Sequence, residues 1–239
     1  MMPAQHGKST GVLFDEYDLS PYFNQVNASR QIQTVTTTNF ASAGKKEYIA
    51  GVESGSISIQ GLWDGAAAAV DVILDTAIAA ESVITVCPQG YDTIGNKAVM
   101  LKGENVSYQI RSTTTDAVRI VAGGTADGGV RTAGVVLQPL AAKTEVVNNA
   151  SVDGSASSAF GGVGHLHVTV FSGTSGTVNI QHSANDSAWA NLITFASVTG
   201  VTSQRLAVTG TVNRYLRFAV TADVFTSMTV FASFARNRR

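Results

Sequence analysis

Four histidines are the first residues to question for chemistry: His6, His165, His167 and His182. His165 and His167 stand two apart beside Leu166-His167-Val168-Thr169-Val170, whose period-two alternation reads as a strand. Both imidazoles therefore project from one face, a spacing that metal sites use. His182 ends the next expected strand and could come near. No acidic or thiol ligand accompanies them in a motif, so we read them as ordinary imidazoles on a sheet surface, with no metal and no cofactor. Cys87 is the single cysteine, which excludes an internal disulfide and a thiolate cluster. In Ser82–Cys87 it reads as an inert buried thiol.

Nucleophile and phosphate signatures are absent from the sequence. Gly173-Thr174-Ser175 lies in a turn-like run, not in a strand-to-helix elbow. Gly123-Gly124 and Gly128-Gly129 flank Thr-Ala-Asp and read as a hairpin turn or flexible connection. Carboxylates are scattered and none stands beside a histidine, so no catalytic residue and no enzyme is expected. Trp63, just before a helix cap, is expected in the core. Trp189 follows Asn185-Asp186-Ser187 in a hairpin and is a candidate surface contact for a ligand or glycan. Concentrated positive charge occurs at Lys45-Lys46 and in Arg236-Asn237-Arg238-Arg239, the latter read as a solvated tail.

The elements that position these residues are mostly short strands punctuated by Gly, Asn, Asp and Ser. Ser56–Gln60 and Leu216–Val220 alternate as Leu166–Val170 does. Further strands are expected at Ser82–Cys87, Lys97–Lys102, Val106–Arg111, Ala117–Ala122, Val135–Leu137, Thr177–Gln181 and Met228–Phe234. One helix is expected over about residues 65–80, capped by Asp64, with Val70, Ile73, Leu74, Ala77 and Ile78 at helical spacing. Lys143–Gly162 is small, polar and Gly/Ser-rich, as linkers are. The division expected is 1–145, a linker over 146–162, and a six-stranded β-sandwich over 163–239.

Charged residues are only 14% of the 239 and the net charge is −1, so no global basic field grips nucleic acid. Residues 1–145 hold 10 Lys and Arg against 14 Asp and Glu, a balance of −4, and residues 146–239 hold 6 against 3, a balance of +3. A chain that economises on charge often hides surface in an assembly. The start lacks an apolar leader region, and no run approaches the 18 or so apolar residues that span a bilayer, so no membrane insertion of its own is expected.

Asp18–Gly65 resembles the first third of the tail-tube proteins of long-tailed (siphovirus-type) bacteriophages, those of actinobacterial hosts especially. The motifs are Asp18–Phe23, Thr37–Gly44, Lys46–Gly51 and Ser56–Gly65, with Gly95–Leu101 and Gly134–Leu140 continuing the pattern. Asn179–Asp186 and Val212–Arg217 resemble the outer β-sandwich that some members append. The resemblance implies a mainly β fold: a tail-tube β-sandwich or barrel domain with one α-helix, plus a C-terminal Ig-like β-sandwich. It implies hexameric rings, stacked helically, whose inner strands join into one barrel through which the genome leaves. The loop Phe40–Val52 then reaches the neighbouring ring, with Phe40, Lys45, Lys46, Tyr48 and Ile49 as contacts. Implied partners are the tape-measure protein and phage DNA in a neutral or acidic lumen, the tail terminator and distal tail proteins. The implied place is the virion tail, after synthesis in the host cytoplasm. The alternative is a glycan- or surface-binding decoration protein of the virion, carried by Trp189 and the His165/His167 face.

Overall fold

The computed structural model describes residues 7–67 and 69–237, with side chains at all of these except 222 and 223. His6, Arg238, Arg239 and Ala68 of the expected helix lie outside the described residues.

The fold is mainly β, with one α-helix among the described residues, as the sequence predicts. In chain order the strands are β1 (Gly11–Phe14), β2 (Tyr17–Asp18), β3 (Phe23–Thr36), β4 (Tyr48–Leu62), β5 (Glu81–Cys87), β6 (Lys97–Thr113) and β7 (Asp116–Lys143). There follow β8 (Val147–Asn148), β9 (Val152–Asp153), β10 (Gly162–Ser183), β11 (Ala190–Thr194), β12 (Thr202–Val208) and β13 (Tyr215–Arg236). The helix, α1, is Val70–Thr76. Contacts gather these into two compact units that interleave along the chain. One takes the chain up to Pro21, Val83–Met100 and everything from Arg131; the other takes Tyr22–Ser82 and Leu101–Val130.

In the unit of Tyr22–Ser82 and Leu101–Val130, β3 and β4 form a long hairpin, and β4 also pairs with β7, Ser56 opposite Thr125 through Leu62 opposite Arg119. β7 is joined to β6 by the two-residue turn Thr114-Thr115, which makes that pair antiparallel too. The order is therefore β3-β4-β7-β6. Ile57 and Ile59 are buried while Ser56 and Ser58 are exposed, the period-two signature of a sheet covered on one face. Close approach of β6 and β7 depends on glycine. A Cβ at Gly103 would lie 2.4 Å from the Thr125 carbonyl oxygen, and one at Gly124 would lie 2.9 Å from that of Glu104.

The helix is shorter than the sequence predicts. Its N-cap is Ala69, with no side-chain cap, whereas Asp64 accepts from the Ala66 amide in a separate turn before it. Alanine propensity at Ala66, Ala67 and Ala69 does not extend the helix, and the buried residues Val70, Ile73 and Leu74 define the one that forms. Trp63 is 40% exposed and not in the core, its ring lying over Gly65.

In the other unit β10 and β13 pair along their whole lengths, from Gly162 opposite Arg236 to Ser183 opposite Tyr215. β12 and β11 flank β10, and β7, β8 and β9 flank β13. Alternation on β13 sends Val230, Ala232 and Phe234 into one apolar cluster with Leu166, Ile180 and Phe218. Phe231 and Ala235 enter another with Leu13, Met100 and Val136. Both faces of β13 are therefore covered, each buried apolar side chain contributing roughly 1.5–3 kcal/mol.

Several expected boundaries dissolve in these long strands. Lys97–Lys102 and Val106–Arg111 are one strand, as are Ala117–Ala122 and Val135–Leu137, and Gly123–Gly129 runs inside β7. Residues 163–239 hold four strands among the described residues, not six, because Ser172–Gly176 is no turn. The β10–β13 ladder absorbs it as bulges on either side of Gly173. Lys143–Gly162 carries β8 and β9, each hydrogen-bonded to β13.

Candidate functional site

The β3–β4 hairpin is the feature that protein atoms leave most open. Its connecting segment is held locally. The Ser42 hydroxyl accepts from the Asn39 amide, Asn39 Oδ1 accepts from the Ala41 amide, and Thr38 Oγ1 accepts from the Glu47 amide. Ala43 and Gly44 turn the chain at φ 46° and 77°. This geometry presents Phe40 with its side chain wholly in solvent, and Lys45 and Lys46 beside it. Behind the tip, Val35 opposes Ile49 and Thr36 opposes Tyr48; Ile49 is 56% exposed and Val52 73%. An apolar surface of this kind, rimmed by charge, is what interaction sites show.

Backbone edges are open as well. Among the described residues β3 pairs with β4 alone, so all fourteen residues of Phe23–Thr36 present an unpaired edge. At the other end of that sheet, Asn105 of β6 is covered by backbone bonds with Ala79 and Ala80. Beyond it Val106–Thr113 has β7 as its strand partner, and Val106 and Ile110 are exposed. Long, uncovered edges template pairing with another chain.

The remaining candidates do not join this surface. His165 and His167 do share a face, as their spacing predicts, but they are fully buried and not on a sheet surface. The cause is that both faces of β10 are covered here. Thr85 Oγ1 lies 3.0 Å from His165 Nδ1 and 2.8 Å from His167 Nε2, while His167 Nδ1 lies 2.6 Å from the Asp15 carbonyl oxygen. That carbonyl can only accept, so His167 carries its proton on Nδ1. Thr85 must then donate to His167 Nε2, and His165 Nδ1 donates to Thr85. His165 Nε2 is left buried without a partner. Burial, then the neighbouring His167 and Arg205, holds the His165 pKa well below its usual range. Burial pushes that of His167 down to about 4, against the opposing pull of Asp15. Both rings are neutral packing elements.

His182 stays apart and accepts from the Asn213 amide. Among the described residues no three His, Cys, Asp or Glu side chains converge as a metal site. Cys87 is buried, and burial raises its pKa to about 12, which suppresses the thiolate. Trp189 is half-buried with the Arg217 guanidinium 4.2 Å from its ring centre, so one aromatic face is already occupied. Arg236 is no solvated tail. It donates to the carbonyl oxygens of Val212, Asn213 and Arg214, which ties the end of β13 to the loop before Tyr215.

No protein-family model and no curated protein matches the chain. Solved structures similar to it include three from phage-like particles and tails. One is a chain from the tail of an empty gene transfer agent particle refined with C6 symmetry. It is 20% identical, over 54% of this chain and 98% of that one, with a TM-score of 0.40. Another is the tail tube of phage SPP1, 14% identical over 54% and 78%, with a TM-score of 0.42. A third is SPP1 Dit, described as a hub adsorption apparatus in phages infecting Gram-positive bacteria, 14% identical over 95% and 99%, with a TM-score of 0.36.

Proposed function

We infer that the chain is a structural tail protein of a long-tailed bacteriophage, the subunit of its tail tube, and that it works by assembly and not by catalysis. The observation that carries this reading is a pair of open edges in the β3-β4-β7-β6 part of the sheet: the whole of β3, and β6 from Val106 onward, beyond the stretch that pairs with β5. Because β3, β4, β7 and β6 alternate in direction, β3 of one copy meets β6 of the next antiparallel, and the alternation continues unbroken. Such a contact is heterologous: it closes into a ring when the rotation per copy divides the circle, and closure removes these two free edges. Six copies per ring is the number that the sequence resemblance implies.

The hairpin tip then serves the second direction of growth. Phe40, Tyr48 and Ile49 supply apolar anchors and Lys45 and Lys46 supply charge for a neighbouring ring. Burying an anchor such as Phe40 or Ile49 contributes roughly 1.5–3 kcal/mol. On this reading residues 1–145 form the tube domain and 163–239 an Ig-like outer domain, joined through 146–162. The tape-measure protein and DNA occupy the channel, the tail terminator and distal tail proteins meet its ends, and the protein works in the virion tail after synthesis in the host cytoplasm. The alternative, a glycan-binding decoration role carried by Trp189, would have to use the ring face that Arg217 leaves uncovered.

Negative-stain microscopy of the purified chain tests the proposal. Rings or tubes with a central channel are expected. Phe40→Ser combined with Ile49→Ser is expected to leave single rings that no longer stack, with the thermal transition unchanged. Particles that stay monomeric at every concentration would sink it.

A further inference from the structure

Within the unit that holds β10 and β13, a pocket of about 270 Å³ lies between β7, β9 and β13. Neither the assembly reading nor the histidine network uses it. Val135, Leu216 and Phe234 make an apolar floor, and Lys97, Asp153 and Arg236 make the polar wall. The two signs of charge in that wall are unequally satisfied. Asp153 is engaged: Arg214 grips it through Nε and Nη2, and the Ser155 amide donates to its Oδ1. The cations are not. Arg236 is half-buried and donates through Nη1 and Nη2 to three backbone carbonyls and the Ser158 hydroxyl, none of which neutralises it. Burial pulls its pKa down, and no acid pulls it back. Its Nε has no acceptor among the described residues and stands 3.2 Å from where a Cβ at Gly154 would lie, in the pocket wall. Lys97 Nζ and the hydroxyl of Ser155, which also lines the pocket, have no partner among the described residues either. Donors left open beside an apolar floor await an acceptor of matching charge.

We propose that this pocket is a binding site for a small organic acid, a carboxylate on an apolar body about the size of a benzene ring. An apolar concavity with a few polar groups placed in its wall is the general form of a small-molecule site. The volume sets the size, since a cavity of roughly 150 Å³ holds benzene and the remaining space takes the carboxylate. The open donors set the charge. A carboxylate has about four lone-pair sites, which suit Arg236 Nε, Lys97 Nζ and the Ser155 hydroxyl together. A cationic ligand would meet Lys97 and Arg236, with only a carboxylate that Arg214 already holds. A dianion would face the Asp153 carboxylate in the same wall, so a single negative charge fits best. The site stands independently of whether the chain assembles into tubes.

Calorimetric titration of the purified chain with benzoate, benzamide and acetate tests the site. Benzamide keeps the ring and the shape without the charge, and acetate keeps the charge without the ring. Benzoate is expected to bind saturably and about tenfold or more tighter than either. Lys97→Met, at an exposed position, is expected to weaken benzoate about tenfold and to leave benzamide and the thermal transition unchanged. Ala133 also lines the pocket, and Ala133→Phe fills it, so benzoate binding is expected to disappear. Should that variant not fold, Lys97→Met decides alone. Equal affinity for benzoate and benzamide overturns the proposal, because the open donors would then be unused. Benzoate binding that Lys97→Met leaves intact, or that persists in folded Ala133→Phe, overturns it as well. So does a wild type that shows no saturable benzoate binding.

Discussion

One hydroxyl at Thr85 orients two buried imidazoles, and the tautomers follow from a single carbonyl at Asp15. The consequence is a pH dependence of folding. In the unfolded chain a histidine titrates near 6.5, while folded His167 titrates at about 4 and His165 well below 6.5. Between those values the unfolded state binds more protons, so stability is full above about pH 6.5 and falls as pH drops towards 4. The loss for His167 alone is on the order of 3 kcal/mol. Urea denaturation from pH 8 to pH 4 measures it, and His167→Gln should flatten the profile in that window; an unchanged profile would contradict the network. Thr85→Val leaves two ring nitrogens without their partner and should cost roughly 2–4 kcal/mol, while Thr85→Ser keeps most of the stability.

Long strands, not short ones, organise this chain at the level of elements. Gly173 shows how: at φ 147° its missing side chain leaves room for Phe225, whose Cα would lie 2.3 Å from a Cβ. Gly173→Ala should therefore shift the β10–β13 ladder and destabilise the protein by about 1–3 kcal/mol, readable as a lower thermal midpoint. Gly200→Ala, with nothing within 4 Å, is its neutral control. The sequence marks Ser172–Gly176 as a turn because Gly and Ser are enriched in both turns and bulges. Local composition does not separate the two outcomes; cross-strand pairing does. The same holds at Gly123–Gly129, where glycines serve close strand approach inside β7. For α1 the residues Val70, Ile73 and Leu74 were legible and its ends were not: the Asp64 turn competes with the alanine run at the start, and the helix stops at Thr76, before Ala77 and the exposed Ile78.

At the scale of the whole molecule, the Gly/Ser-rich segment and the contact pattern answer different questions. Composition divides the chain near 146–162, whereas hydrogen bonds from β7, β8 and β9 to β13 hold both sides of that segment. Limited chymotrypsin treatment examines the division proposed above. Phe160 is 48% exposed between β9 and β10, and Phe40 is fully exposed at the hairpin tip. Cleavage at both is expected, with the two products of the Phe160 cut eluting together until denaturant separates them. A Phe160 bond that resists while Phe40 is cut would count against a connector there.

Read alone, the sequence determined the β class, segments of β4, β5, β6, β7, β10 and β13, the single amphipathic helix, the inertness of Cys87 and the shared face of His165 and His167. All of these depend on side-chain period and type, which are local. The hairpin residues Phe40 to Ile49 were also singled out by resemblance to tail-tube proteins, though their exposure was not visible from type, since apolar residues are usually buried. Only the tertiary structure decided that His165 and His167 are internal, that Arg236 anchors β13, that Trp189 is partly covered, and that β3 and the Val106–Thr113 half of β6 are left with open edges. Each of those is a matter of which distant strand lies alongside. Pairing between strands is set by the packing of the whole chain, and a single strand's sequence carries no record of its neighbour.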